Sequence, residues 1–115
     1  MNKEKFKTII KERIYVEEIS KGEWQEGIEK CWQQMVDVLC EDISSSIEYL
    51  KKECTADEYS WISEVLEEIV SREGGKMFLR AYEEVMQKFP EECEKYNIIG
   101  SIAFAKSTVS EGNDA

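Results

Sequence analysis

Apolar residues recur along most of this chain at the three- and four-residue spacing of an amphipathic α-helix. The clearest series consists of Trp24, Ile28, Cys31, Trp32, Met35, Val36, Leu39, Ile43, Ile47, Leu50 and Cys54. One helix over residues 24–54 would be about 46 Å long at 1.5 Å per residue, which is long for a small domain. The serine run from Ser44 to Ser46 lowers helix propensity, and Asp42 is a favourable N-cap residue. We therefore predict a break near residues 41–42.

Helical patterns also precede and follow this series. Residues 4–19 carry apolar side chains at rough helical spacing, and Lys21-Gly22 ends that pattern. Thr55 and Glu58 match a capping box, in which each side chain accepts a hydrogen bond from the backbone N–H of the other residue. The apolar face of the helix that begins there consists of Ile62, Val65, Leu66 and Ile69.

The rest of the chain continues the helical pattern. Gly74-Gly75 is predicted to end the capped helix, and residues 78–89 form a further amphipathic stretch. Pro90 suits the first position of a short helix, and apolar residues over 98–103 indicate a last one. The patterns predict an all-α single compact domain over residues 1–109, with about five or six helices packed as helical hairpins. Residues 110–115 are predicted to be a disordered polar tail.

Composition limits the class of protein and its expected location in the cell. Hydrophobic residues make up 42% of the chain and charged residues 35%, which is too apolar for a disordered chain and too polar for a membrane protein. No apolar run approaches the roughly 20 residues that span a bilayer. The basic N-terminus lacks the apolar segment of a secretory signal. We therefore expect a cytoplasmic protein that does not contact membranes.

The negative charge is concentrated in one stretch. The net charge is −10, and residues 23–73 hold fourteen acidic but only four basic side chains. Such a surface attracts cationic partners and repels nucleic acid and anionic lipid. We therefore expect a basic protein partner and no nucleic acid or membrane partner.

The residue types argue against an enzyme. The chain has no histidine, so histidine bases, Ser-His-Asp triads and histidine-ligated metals are excluded. The four cysteines form no CxxC pair and are expected to be buried free thiols. We predict no cofactor, no metal and no catalytic residue. An acid-only hydrolase stays open as an alternative, because it needs only carboxylates that converge in a pocket.

A candidate binding surface lies on the capped helix. Asp57, Trp61, Glu64 and Glu68 share the i, i+4, i+7, i+11 spacing of one helical stripe. A large aromatic residue among carboxylates is typical of a binding anchor with a charged rim. Residues that extend this surface if two helices pack side by side are Asp37, Glu41 and Asp42. The alternative is that the acids are solvated, that Trp61 belongs to the core, and that Asp42 serves only as a cap. Trp24 and Trp32 are predicted to be core residues.

Two segments resemble a known group of proteins. The run CEDISSSIEYLKKECTADEYSWISEVLEEIV, residues 40–70, and KFPEECEKYNI, residues 88–98, are similar to small acidic helical immunity proteins. These are encoded beside polymorphic toxins, including contact-dependent inhibition toxins. The shared features are the acid–Ile–Ser–Ser–Ser turn, the Thr-Ala-Asp-Glu cap, and the Pro-Glu-Glu segment that ends in Tyr96-Asn97. The resemblance covers roughly residues 24–98.

The resemblance implies a cytoplasmic protein that binds and neutralises one cognate toxin domain. Many such domains are nucleases, whose active sites must be cationic to hold phosphates. No binding residue is carried over from the group, so the acidic stripe remains an inference from the residues. A helical adaptor, a regulatory subunit and a nucleic-acid mimic would share this profile and stay open as alternatives.

Overall fold

The computed structural model describes the backbone of residues 1–113 and the side chains through Thr108. Its α-helices are α1 (Lys3–Ser20), α2 (Gln25–Cys40), α3 (Ile43–Lys52), α4 (Ala56–Ile62), α5 (Leu66–Val70), α6 (Gly75–Glu84), α7 (Pro90–Lys95) and α8 (Ile98–Asn113). The 3₁₀ segments Ser63–Val65 and Val85–Lys88 follow α4 and α6. The predicted all-α class is confirmed. Within the described residues α4 and α5 form one bent helix, so the fold has seven helices where five or six were predicted.

The first two helices form a hairpin. The Asn2 side chain caps the start of α1 by accepting from the Lys5 backbone N–H at 3.0 Å. The helix ends at Lys21, which has a φ of 52°, and Gly22 follows with a φ of 81°. Left-handed backbone of this kind is favoured by glycine. The chain therefore reverses where Lys21-Gly22 was predicted to end the helix, and α2 packs along α1.

The predicted break near residues 41–42 is confirmed. Glu41 and Asp42 separate α2 from α3, and Asp42 is the N-cap of α3, accepting from the Ser45 backbone N–H at 3.4 Å. The Ser46 hydroxyl donates to the Leu39 carbonyl at 2.7 Å and ties the two helices together. This bond satisfies one of the carbonyls that the end of α2 leaves free.

The predicted capping box is present at the start of α4. The Thr55 hydroxyl accepts from the Glu58 backbone N–H at 3.1 Å, and the Glu58 carboxylate accepts from the Thr55 backbone N–H at 3.1 Å. The helix it starts ends at Val70, earlier than the predicted Gly74-Gly75. The reason is close packing, since a Cβ on Gly75 would lie 1.9 Å from the Ile69 carbonyl oxygen. The glycine pair starts α6 directly against α5.

Two tyrosines join the halves of the core. The rings of Tyr59 and Tyr82 stack with centroids 4.0 Å apart. Each hydroxyl donates to the other residue's carbonyl, at 2.7 Å from Tyr59 and 2.6 Å from Tyr82. Both side chains are fully buried. These hydrogen bonds satisfy the phenol groups inside an apolar core, so the pair fastens α4 to α6 without leaving a buried polar group unpaired.

Other expectations about the fold have mixed outcomes. Trp24 was predicted to be a core residue, but it is 48% exposed because its ring lies over Gly27 at the N-terminus of α2. The backbone of α8 stays helical to Asn113, past residue 110 where the polar tail was predicted to begin. Residues 114 and 115 of that tail lie outside the described residues. No helix within residues 1–113 has the length and apolar character to cross a membrane.

Candidate functional site: an acidic groove between α2 and α5

Part of the acidic stretch, residues 23–73, is neutralised by α1. Three cations of that helix pair with carboxylates about fifty positions later in the chain. The pairs are Lys3–Glu53 at 2.5 Å, Lys7–Glu58 at 2.9 Å and Arg13–Glu64 at 2.9 Å. The basic N-terminal helix therefore covers one side of the acidic region, and only the carboxylates outside this contact are free to bind another molecule.

Arg13 forms the most buried of these pairs. Only 4% of its side chain is exposed, against 28% for Glu64. Its Nε and Nη2 donate to the two oxygens of Glu64 at 2.9 and 3.0 Å, and its Nη1 donates to Glu17 at 3.0 Å. Burial lowers the pKa of Arg13, but these carboxylates outweigh burial and raise the pKa above its ordinary value. Glu64 was predicted to contact a partner, and its first role is to hold this arginine.

The same network includes two tryptophans. Trp32 Nε1 donates to Glu64 at 2.9 Å. The Arg13 guanidinium lies 4.9 Å from the ring centroid of Trp61, within the range of a cation–π contact. Trp61 is half-buried against the core, and its Nε1 is buried without a hydrogen-bond partner in the described residues. Trp61 thus packs beneath Arg13 instead of presenting its ring to solvent as a binding anchor would.

Glu58 is a second structural carboxylate. Its side chain is 8% exposed and accepts from Lys7 at 2.9 Å, from the Tyr49 hydroxyl at 2.7 Å and from the Thr55 N–H. Burial raises the pKa of Glu58, but the hydrogen bonds from Lys7 and Tyr49 outweigh it and hold the pKa below its ordinary value. Burial, with the bond to Glu58, raises the pKa of Tyr49 to about 12. Glu58 therefore stays ionised and buried, with its oxygens occupied.

A groove lies on the other side of Glu64, between α2 and α5. We call it the acidic groove; it has a volume of about 310 Å³ and is lined by Glu29, Trp32, Gln33, Val36, Glu64, Val65, Glu67 and Glu68. The lining contains four carboxylates and no basic side chain. This volume is near the lower end of the range found for ligand pockets, so the groove can admit one long side chain.

Three of its carboxylates have no cationic partner in the described residues. Glu67 and Glu68 lie exposed in the first turn of α5 and make no side-chain hydrogen bond there. Glu29 accepts only from Gln25 Nε2, at 3.0 Å. The groove therefore combines uncompensated negative charge with the apolar surface of the half-buried Trp32. This arrangement suits a lysine or arginine, which binds through its apolar stem as well as its charged end.

The predicted stripe is only partly assembled. Glu64 and Glu68 both line the acidic groove, whereas Asp57 is exposed in the first turn of α4 and Trp61 packs against the core. The 3₁₀ segment Ser63–Val65 breaks the helix between them, and Val65 has a φ of −120°. A 3₁₀ turn holds fewer residues than an α-helical turn, so residues after it leave the predicted stripe.

The three residues predicted to extend this surface also lie outside the groove. Asp37 is exposed on α2, where it accepts from Gln33 at 2.9 Å and pairs with Arg72 at 3.4 Å. Glu41 is exposed in the turn that follows α2. Asp42 caps α3, as described above. Of these three, Asp37 continues the row of Glu29 and Gln33 at four-residue spacing, so it lies along the groove's α2 wall beyond the lining residues.

Of the eight residues that line the acidic groove, only Glu64 and Glu68 were predicted to belong to a binding surface. Trp32 was predicted to be a core residue; it does pack against the core, but it is only half-buried and also lines the groove. Glu29, Trp32, Gln33 and Val36 follow the i, i+3, i+4, i+7 spacing of one helix face, which could have indicated a shared surface. Glu67 directly precedes the predicted Glu68 but lies off the predicted stripe. The position of α5 after the 3₁₀ turn brings both residues to the groove.

In the part of the chain that the structure describes, the cysteines and acids form no second candidate site. Burial raises the pKa of each thiol, and that of Cys54 reaches about 12. All four are free thiols, as expected, but only Cys31 and Cys93 are buried as predicted, whereas Cys40 and Cys54 are half-buried. Within the described residues no group of three or more Cys, Asp or Glu is placed to hold a metal ion. What the acidic groove can do chemically is bind a cation.

Comparison with protein-family models, with curated proteins and with solved structures found no match to this chain.

Proposed function

We propose that this protein is an immunity protein, which binds a cationic toxin domain through the acidic groove and blocks its activity. The observation that carries the proposal is the set of unpaired carboxylates Glu29, Glu67 and Glu68 beside Trp32. The resemblance of residues 40–70 and 88–98 to immunity proteins supports the same function. A groove of this kind favours a basic protein over nucleic acid, because phosphates would be repelled.

The chemistry of the acidic groove suits a toxin whose active site binds phosphates. Arginine and lysine side chains in such a site would find carboxylates where phosphate oxygens normally lie. The stem of an inserted side chain would pack on Trp32. Exposed like charges also raise the association rate of an oppositely charged partner, which matters when a toxin must be captured before it acts.

The test begins with the reading frame immediately upstream, where the proposal expects a toxin domain to be encoded. The domain is expressed with this protein, growth is recorded, and the dissociation constant is measured by calorimetry. We expect the wild-type chain to restore growth. The double variant Glu67→Lys/Glu68→Lys should bind at least about tenfold more weakly and protect poorly, because it places cations against a cationic partner.

A matched control separates the groove from net charge. Glu18→Lys/Glu91→Lys makes the same change in net charge at two exposed residues outside the groove, on α1 and α7. It should bind almost as tightly as the wild-type chain. Equal weakening by both double variants would show that the groove is not the site. A wild-type chain that neither binds nor protects would overturn the proposed function.

A further inference from the structure

The fold already contains one site that holds a guanidinium, next to the acidic groove. The Arg13 guanidinium lies 4.9 Å from the ring centroid of Trp61 and donates to the carboxylates of Glu64 and Glu17. One tryptophan ring and two carboxylates therefore suffice to hold an arginine in this protein. We call this arrangement the Arg13 site.

The acidic groove has the same kinds of side chain. Trp32 lines it, with Glu29 on the α2 wall and with Glu67 and Glu68 on the α5 wall. Among the described residues, no lysine or arginine forms an ion pair with these three carboxylates. The groove therefore repeats the composition of the Arg13 site, but it leaves the place of the cation to another molecule.

The Arg13 site also fixes the position of Trp32. Trp32 Nε1 donates to Glu64 Oε1 at 2.9 Å, and Arg13 donates to both oxygens of the same carboxylate. An indole has only this one donor, so the part of Trp32 that remains for the groove is its apolar ring. The residue is half-buried and also packs against the core. A ring that is held in this way loses little conformational freedom on binding, which favours affinity.

We infer that the acidic groove selects an arginine of the toxin domain over a lysine, and that Trp32 determines this specificity. The inference rests on the proposed function, because it names the side chain that the partner inserts. A guanidinium is planar, so it can stack on the ring of Trp32 while its N–H groups reach carboxylates on both walls. A lysine ammonium is a compact and strongly hydrated charge, so it gains less from an aromatic ring.

The test compares two probes of equal charge, the blocked tripeptides Gly-Arg-Gly and Gly-Lys-Gly, by NMR titration of the full chain. The chain has three tryptophans, and the spectrum of Trp32→Leu identifies the indole N–H signal of Trp32. We expect that signal to shift on titration, and the arginine peptide to bind at least about threefold more tightly than the lysine peptide. Glu67→Lys/Glu68→Lys should lose affinity for both peptides, because its groove repels either cation.

Trp32→Leu separates the effect of the ring from that of the charges. It leaves every carboxylate of the groove in place, so both peptides should still bind, but with nearly equal affinity. Trp24→Leu is the matched control, because Trp24 is 48% exposed and lies outside the groove. This control should keep the full preference for arginine. The comparison of the two peptides on the wild-type chain tests the inference even if Trp32→Leu folds poorly.

Three results would overturn the inference. They are equal affinities of the two peptides for the wild-type chain, an unchanged indole signal of Trp32, and a preference for arginine that persists in folded Trp32→Leu. A wild-type chain that protects growth but binds both peptides equally would contradict the arginine preference alone. A clear arginine preference in a chain that neither binds the toxin domain nor protects growth would contradict the proposed function alone.

Discussion

The carboxylates that face α1 and those that line the acidic groove come from one stretch of chain but have different surroundings. Glu58 and Glu64 each accept several hydrogen bonds and pair with a cation of α1. The carboxylates of Glu67 and Glu68 accept no hydrogen bond within the described residues. The difference shows that a run of acids cannot be equated with a binding surface. Carboxylates that form ion pairs inside the fold must first be excluded from the residues considered for binding.

The largest expected effect on stability comes from the carboxylates that pair with cations of α1. Glu64→Ala should lower the free energy of unfolding by about 3 kcal/mol, because it leaves the buried Arg13 guanidinium short of its main partner. For a domain of this size the melting temperature should fall by roughly 10 °C. The matched change at a groove carboxylate without a cationic partner, Glu68→Ala, should leave the melting temperature nearly unchanged. Similar losses from both variants would erase the distinction between paired and free carboxylates.

Trp61 should contribute to stability together with the ion pair between Arg13 and Glu64. Trp61→Ala should cost about 2 kcal/mol of stability, less than a fully buried aromatic residue, because Trp61 is only half-buried. The loss has two sources, the packing against the core and the contact with Arg13. Chemical denaturation measures it, and Trp24→Ala serves as the comparison at a more exposed tryptophan. A Trp61→Ala protein that is as stable as wild type would contradict the packing described here.

The pH dependence of stability distinguishes two neighbouring carboxylates. Glu58 has a folded pKa below its ordinary value of 4.5, so the unfolded chain takes up the proton first as the pH falls. The stability from Glu58 is therefore complete above pH 4.5 and is lost as the pH falls through the folded pKa. Glu58→Gln should lose less stability than wild type between neutral and acidic pH.

Asp57→Asn is the control for that pH experiment. Asp57 is exposed in the same helical turn and accepts no hydrogen bond through its side chain within the described residues. Its curve of unfolding free energy against pH should run parallel to that of wild type. Parallel curves for Glu58→Gln as well would remove Glu58 as a source of acid sensitivity.

The smallest effect on stability is expected in the groove. Glu67→Lys/Glu68→Lys should change the free energy of unfolding by less than about 0.5 kcal/mol, because exposed residues without partners contribute little. Thermal melts of this variant and of Glu18→Lys/Glu91→Lys make the comparison at equal net charge. A loss as large as that of Glu64→Ala would mean that the groove carboxylates also hold the fold.

The features that were predicted correctly depend on residues close together in the chain. Asp42 ends one helical pattern and caps the next, and Thr55 and Glu58 form a capping box within one turn. The pairing of α1 with the acidic region could not be predicted in this way, because its residues are far apart in the chain. Arg13 and Glu64 are fifty-one positions apart, and either could have met many other charges.

The incomplete prediction of the site has a specific cause. An uninterrupted helix would have aligned Asp57, Trp61, Glu64 and Glu68, but the 3₁₀ turn at Ser63–Val65 separates Glu64 and Glu68, which line the groove, from Asp57 and Trp61. Serine hydroxyls bond to carbonyls there, from Ser63 to Ser60 at 2.6 Å, which loosens the preference for regular helix. The spacing alone carried no sign of that turn.

The central claim is that Glu67 and Glu68 attract a cationic toxin domain while Glu64 holds the fold. Stopped-flow association with the toxin domain that the proposal expects as partner, over a series of salt concentrations, tests it most directly. The account predicts that the wild-type association rate falls steeply with salt, and that Glu67→Lys/Glu68→Lys associates slowly with a weak salt dependence. Rates and salt slopes equal to those of wild type in that variant would contradict the claim.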